Sequence, residues 1–331
     1  MTTFRVLLFA AGLLVASPAA ALSFLVFGDM PYGAPWPEGG RYKTDFDFLK
    51  TVLAPAVRDD PTVDFVINYG DIGRPEYACS DDWLRGQQTF WRDEIGKPVF
   101  YTPGDNDWTD CDRAVVPAPV SELARLDAIR QVMFAASPVS DDGWHYRQQA
   151  SFPENAIWRR QQVQFATLHV VGTNDGRGQI LRDAAATARA RVDRRQQAAR
   201  KWLAEAVTEA KAAGAGALVV AMQADPFRGW GTAPCNTALP EKCDAFVELR
   251  AAFVEAAAAL GRPMLVVHGD TADYCLDRPF GAGAPAGLWR LNGPGDFRVV
   301  DAVRVTVDVD AAVPFQVAGL STGPLTSAPC P

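Results

Sequence analysis

The sequence predicts an α/β protein whose strands run largely parallel and deliver acidic side chains to one edge. Short β-branched or aromatic runs alternate with segments of helical periodicity, which implies βαβ units. Four of those runs stop in the same dipeptide. Phe24-Leu25-Val26-Phe27 ends in Gly28-Asp29, Phe65-Val66-Ile67-Asn68-Tyr69 in Gly70-Asp71, Val99-Phe100-Tyr101-Thr102-Pro103 in Gly104-Asp105, and Met264-Leu265-Val266-Val267-His268 in Gly269-Asp270. A single Gly-Asp pair makes a turn. Four at strand ends describe a ligand-binding edge, because open α/β sheets bind outside the carboxyl ends of their strands.

Taken in order, the chain first presents Arg5, an apolar run over residues 6–16 and Ala19-Ala20-Ala21. That is the charged start, short apolar core and small-residue cleavage site of a secretory signal, too short for the ~20 apolar residues of a membrane span. Residues 1–21 are expected to be that signal and 22–331 one domain, secreted or periplasmic. Strand one leads through Met30-Pro31-Tyr32-Gly33 to a helix over 43–58, where Phe46, Phe48, Leu49, Val52, Leu53 and Val57 recur at near-helical spacing. Strand two follows Pro61, a short helix spans 83–94, and strand three enters the Asp105 loop. Ser121 is the N-cap candidate of a helix over 121–134.

Residues 137–158 are polar and aromatic without clear periodicity, and are expected to lie over the surface as an insertion. A strand over 163–171 ends in Gly172-Thr173-Asn174-Asp175, a fifth loop on the same edge. A long helix over 182–213 is stopped by Gly214-Ala215-Gly216. The next strand, 217–222, runs into Gln223, an amide where the other strands carry a carboxylate. A helix over 244–260 is closed by Gly261 and Pro263. From Phe297 onward, Val303, Val305, Val307 and then Phe315-Gln316-Val317 alternate with polar residues, as antiparallel strands do. No repeat or Gly/Ser linker divides the chain.

The net charge of −7 argues against nucleic acid, whose phosphates require a basic face. The Arg-rich stretch 189–201 lies on an Ala-rich helix and reads as a solvated face. No other apolar run reaches membrane-spanning length, so no stable membrane insertion is expected. Six cysteines in an exported chain read as disulfides. Several pairings are open; the local choice is Cys79 with Cys111, Cys235 with Cys243 and Cys275 with Cys330.

Converging carboxylates repel, and keeping them ionised together requires a cation or hydrogen-bond donors. The loop order Asp29-Met30-Pro31, Gly70-Asp71, Gly104-Asp105-Asn106-Asp107, Gln223, Gly269-Asp270-Thr271-Ala272 resembles the calcineurin-like metallophosphoesterases, the purple acid phosphatase-like superfamily, over residues 24–320. That family carries Asp-x-His, Gly-Asp, Gly-Asn-His-Glu/Asp, a lone His and Gly-His-x-His on the same five loops. The resemblance implies a four-layer α/β/β/α sandwich of two packed mixed sheets flanked by helices, and a divergent member lacking most metal-ligand histidines. By position, Asp71 would bridge two metals. One metal site would keep Asp29 and Asp71 but meet Met30 and Ala272 in place of imidazoles, with Tyr32 the nearby oxygen substitute. The other would be built from Asp71, Asp105, Gln223 and Asp270.

Carboxylate and carbonyl oxygens suit Mn²⁺, Mg²⁺ or Ca²⁺ better than Zn²⁺ or Fe, so one hard divalent ion is expected. The sequence has three histidines. His169 lies in an apolar strand and reads as core, whereas His268, two residues before Asp270, would share its face on an extended chain. The catalytic candidates are Asn106, in the place of the family's loop-three histidine, with Asp107 and His268 for proton transfer. The expected function is an exported metal-dependent phosphoesterase-like hydrolase acting on a small phosphate ester, with oligomeric state open. The alternative is a catalytically inactive binding or structural protein of the same fold, toward which Met30, Gln223 and Ala272 point.

Overall fold

The computed structural model describes residues 21–33, 45–228, 233–271, 274–326 and 329–330. Residues 1–20 of the expected signal, the start of the 43–58 helix and Ala272 lie outside them. Among the described residues the strands, in chain order, are β1 (Leu22–Phe27), β2 (Val63–Asn68), β3 (Val99–Tyr101), β4 (Arg147–Gln149), β5 (Phe152–Arg160), β6 (Val163–Thr167), β7 (Ala217–Ala221), β8 (Met264–His268), β9 (Cys275–Asp277), β10 (Leu288–Asn292), β11 (Val303–Val307), β12 (Phe315–Gly319) and β13 (Gly323–Pro324).

They form two mixed sheets. The six-stranded sheet has the order β13-β12-β11-β1-β2-β3, and the seven-stranded one β4-β5-β6-β7-β8-β10-β9. In the first, β1, β2 and β3 are parallel and β11 and β12 antiparallel. In the second, β6, β7, β8 and β10 are parallel, with antiparallel strands outside them. Strands covered on both faces read as continuous apolar runs, which is why Leu22–Phe27 and Ala217–Ala221 carry almost no polar residues. β11 keeps the alternation of a half-covered strand, burying Val303, Val305 and Val307 and leaving Arg304 and Thr306 half-buried.

The sheets pack face to face over an aromatic core. Phe24 stacks on Phe65 at 5.2 Å between ring centroids, and Phe65 meets Phe165 edge-on at 5.0 Å. Helices cover both outer faces. Ala185–Ala212 buries Ala188, Val192, Ala199, Trp202, Leu203, Ala206 and Ala210, a three-and-four spacing that lays one stripe on the larger sheet, and Val247–Leu260 packs beside it. On the smaller sheet, Phe48, Leu49, Leu53 and Val57 pack with Leu84, Phe90, Leu126 and Ile129. The result is the four-layer α/β/β/α arrangement.

The 137–158 stretch corrects one expectation: it is not a surface insertion. Phe152–Arg160 pairs antiparallel with β6 through a tight turn, and Trp158 is fully buried, stacked on Phe100 at 3.8 Å. A strand buried on both faces at its centre loses the alternation that would mark it. All six cysteines are paired as the local choice had it, with Cα separations of 5.4 Å for Cys79–Cys111, 4.8 Å for Cys235–Cys243 and 5.4 Å for Cys275–Cys330, within the bridging range. Three disulfides suit an oxidising compartment, and among the described residues no helix is long and apolar enough to cross a membrane.

Candidate functional site

Each strand end turns sharply, and the turn is what aims the acid. Asp29, Asp71 and Asp270 all have positive φ, at 48°, 53° and 62°, a region that Asp tolerates better than most side chains. The chain therefore leaves its extended direction just before each carboxylate. Gly70, at φ 107°, has its Cα so close to the next loop that a Cβ would stand 2.5 Å from the Gly104 nitrogen. Only glycine allows loops two and three to touch.

The loops then lock to one another. Asp29 N–H donates to Gly70 O at 3.0 Å and Met30 N–H to Asp71 O at 3.1 Å. Asn106 N–H donates to Asp71 Oδ1 at 3.0 Å, and Asp270 N–H to Asp29 Oδ2 at 3.0 Å. Thr173 Oγ1 donates to Asp105 Oδ2 at 2.7 Å. At Gly172 a Cβ would stand 2.6 Å from both Asp105 Oδ2 and Asp270 Oδ1, so these two carboxylates close over a bare glycine. The structure brings Asp29, Asp71, Asp105, Asp270, Gln223 and Asn106 to one edge. Burial first, then Asp296 and Asp105, raises the Asp29 carboxyl well above the usual range. Burial with Asp105 and Asp29 does the same to Asp71 and to Asp270.

Gln223 enters this cluster in an unexpected sense. Its Oε1 accepts from Gly172 N–H at 2.6 Å, which fixes the carboxamide orientation. Its Nε2 therefore faces the acids, 3.3 Å from Asp71 Oδ2 and 3.2 Å from Asp105 Oδ1. The expectation of an oxygen ligand at Gln223 is corrected: as placed, it offers N–H donors to two carboxylates. Tyr32 acts likewise, its Oη donating to Asp71 Oδ2 at 2.6 Å and accepting from Asn106 Nδ2 at 2.9 Å. Burial and the Asp71 charge push the Tyr32 phenol well up, so it stays a donor. Met30, at a position where the resembled family has histidine, is buried in the apolar layer under the helices instead.

Two proton-transfer candidates are placed elsewhere. Asp107 accepts from Asp71 N–H (3.0 Å), Ile72 N–H (2.9 Å), Gly104 N–H (2.8 Å) and Tyr101 Oη (2.8 Å). Four donors make it a clamp between loops two and three, and burial still raises its carboxyl to about 6. His268 is fully buried, its Nδ1 3.0 Å from Gly269 O and its ring 5.6 Å from that of Phe227. Burial lowers its pKa, with Asp225, Arg290 and Asp277 the leading charges acting on it. The shared face with Asp270 fails because the extended chain ends at His268 and Asp270 is left-handed.

One site residue escaped sequence reasoning. β10 runs into Gly293-Pro294-Gly295-Asp296, a further strand-to-Gly-Asp junction, and Asp296, at φ 48°, donates its N–H to Asp29 O at 3.2 Å. The signal was there in Gly295-Asp296, but Leu288–Asn292, with Arg290 and Asn292 in it, does not read as a strand.

The donor set suits one hard divalent ion in its chemistry. It is all oxygen, no imidazole faces it, and Asp29 Oδ1 is buried with no hydrogen-bond partner. As they stand, however, no three acidic, histidine or cysteine side chains among the described residues are gathered to hold an ion. Ion binding therefore requires the carboxylates to draw together and the Gln223 amide to give way.

No protein-family model matches the sequence, and no curated protein sequence does either. Among solved structures, PhoD aligns with a TM-score of 0.53 at 12% identity, over 95% of this chain and 73% of that one. A dimetal phosphatase from Danio rerio aligns at 0.47 and 12% identity, over 86% of this chain and 95% of its own. At that identity the first likeness concerns architecture alone. The chain shares that architecture, two mixed sheets flanked by helices.

Proposed function

We propose that the protein is an exported, metal-dependent phosphoesterase-like hydrolase acting on a small phosphate ester, with one hard divalent ion, Mn²⁺, Mg²⁺ or Ca²⁺, held by Asp29, Asp71, Asp105 and Asp270. In this reading residues 1–21 are a secretory signal and 22–331 the metallophosphoesterase-like domain, and neither nucleic acid nor a bilayer is a partner. The observation that carries it is the cluster itself: carboxylates from separate loops converge, burial first and their mutual repulsion second raise their pKa values, and a divalent cation relieves that repulsion. When bound, such an ion supplies Lewis-acid polarisation of a phosphoryl oxygen and a water of lowered pKa. The chain's own part is orientation. Asn106, half-buried at the cluster, donates to a phosphoryl oxygen through its carboxamide, while Asp107 keeps loops two and three in register.

A second reading, a non-hydrolytic binding protein of the same fold, is favoured by one observation. The Gln223 amide and the Tyr32 hydroxyl already donate to Asp71 and Asp105, which lessens the need for an ion. Assays with 4-nitrophenyl phosphate and bis(4-nitrophenyl) phosphate in Mn²⁺, Mg²⁺, Ca²⁺ or Zn²⁺ separate the two. The hydrolase reading expects turnover in a hard ion that Asp105→Ala abolishes; ion binding without turnover of either ester selects the second.

A further inference from the structure

We propose that Phe297, backed by Tyr32 and flanked by Arg74, is a platform that stacks the aromatic or heteroaromatic alcohol group of the phosphate ester bound beside it. The proposal rests on the phosphoesterase reading and adds the class of leaving group to it. Phe297 is 58% exposed, and a lone exposed aromatic is ordinary. Its backbone is not. Gly295 at φ 137°, Asp296 at 48° and Phe297 at 66° form a run of positive φ, and for a bulky side chain that conformation is a strained outlier. Such strain persists where the surroundings over-determine it, and it clusters at ligand sites.

The surroundings here point toward the acids. The turn is closed by Arg298 N–H donating to Gly295 O at 3.2 Å, and it is tied to strand one by Asp296 N–H on Asp29 O. The Phe297 ring packs at a 46° tilt against that of Tyr32, 4.7 Å between centroids, and the Tyr32 hydroxyl donates to Asp71. The Tyr32 side chain thus links an exposed aromatic residue to the carboxylate cluster. The Arg74 guanidinium stands 5.9 Å from the Phe297 centroid, within cation–π reach, and a planar group laid on the ring gains both stacking and that cation. An apolar face strained open beside a polar cluster fits an ester with one flat end, not a simple alkyl phosphate.

The test is calorimetric binding of phenylphosphonate and methylphosphonate, neither of which needs turnover, to the wild type, Phe297→Ala, Phe297→Trp and Phe297→Gly. Wild type and Phe297→Trp should hold phenylphosphonate at least about ten-fold tighter than methylphosphonate, the size of one stacking contact. Phe297→Ala and Phe297→Gly should bind the two alike, with methylphosphonate affinity unchanged. Phe297→Gly should also melt at or above the wild-type temperature, because glycine relieves the strain. Equal affinity for both phosphonates in the wild type overturns the platform and leaves the phosphate reading standing. A preference that persists in Phe297→Ala, or a fall in melting temperature in Phe297→Gly, also overturns it. Absence of binding by either phosphonate overturns the platform and the phosphate reading together.

Discussion

Gln223 turns its amide nitrogen toward Asp105, 3.2 Å from Oδ1, and the same nitrogen lies 3.3 Å from Asp71 Oδ2. A neutral donor thus stands between two buried acids where a cation would otherwise be called for. Gln223→Ala removes these bonds and the acceptor of Gly172 N–H, and should cost about 2–3 kcal/mol, the scale of hydrogen bonds to charged groups. Because an ion that binds only the folded state stabilises it, added Mn²⁺ should raise the melting temperature of the variant more than that of the wild type. Thermal melts with and without the ion check this. A variant as stable as the wild type, or one indifferent to Mn²⁺, contradicts the role given to the amide.

Gly172 sets how closely Asp105 and Asp270 approach, since a Cβ there would lie 2.6 Å from an oxygen of each. Gly172→Ala should push the two carboxylates apart and weaken divalent-ion binding by about ten-fold or more, the factor that ~1.4 kcal/mol of lost interaction represents. Gly178→Ala is the control, because its Cβ would meet the Thr173 methyl at 3.7 Å and the Thr173 carbonyl oxygen at 3.9 Å, both ordinary contacts. Calorimetry on the pair should separate them, and equal affinities would remove the close approach from the account.

How much of this was legible in the sequence depends on backbone shape. The Gly-Asp junctions after Phe27, Tyr69, Pro103 and His268 were visible because each follows a short run dominated by β-branched, aromatic or aliphatic residues with no charged side chain inside it. The junction at Gly295-Asp296 was hidden because β10 carries Arg290 and Asn292, whose side chains find partners inside the protein, Asp277 for the one and Thr271 O for the other. Trp158 was misplaced for a related reason: β5 is buried on both faces at its centre, so no alternation marks it. His268 and Asp107 were legible as residues but not as orientations. The first depends on where β8 stops, and the second on which of four donors reach its oxygens, and neither is written in spacing.

A separate acidic pair gives a pH prediction. Glu122 is buried with Oε1 unpartnered, and burial, then the neighbouring Asp112 charge, raises its carboxyl to about 9. The folded protein thus holds a proton that the unfolded chain releases near a pKa of about 4.3, and stability falls as pH climbs from about 4 toward 9. Glu122→Gln removes the ionisation and can donate to Asp112. It should exceed the wild type by on the order of 1 kcal/mol at pH 8, with the gain shrinking toward zero by pH 4. Urea unfolding at the two pH values decides, and a gain that is larger at pH 4 reverses the assignment.

Calorimetric titration of the metal-stripped protein decides whether the carboxylates of Asp29, Asp71, Asp105 and Asp270 together hold one hard divalent ion. One site for Mn²⁺, Mg²⁺ or Ca²⁺ is expected, lost in Asp105→Ala and unchanged in His268→Ala, because oxygen donors from several loops offset the dehydration of such an ion. Tight Zn²⁺ binding that survives Asp105→Ala and disappears in His268→Ala would contradict it and move the functional centre to the buried histidine.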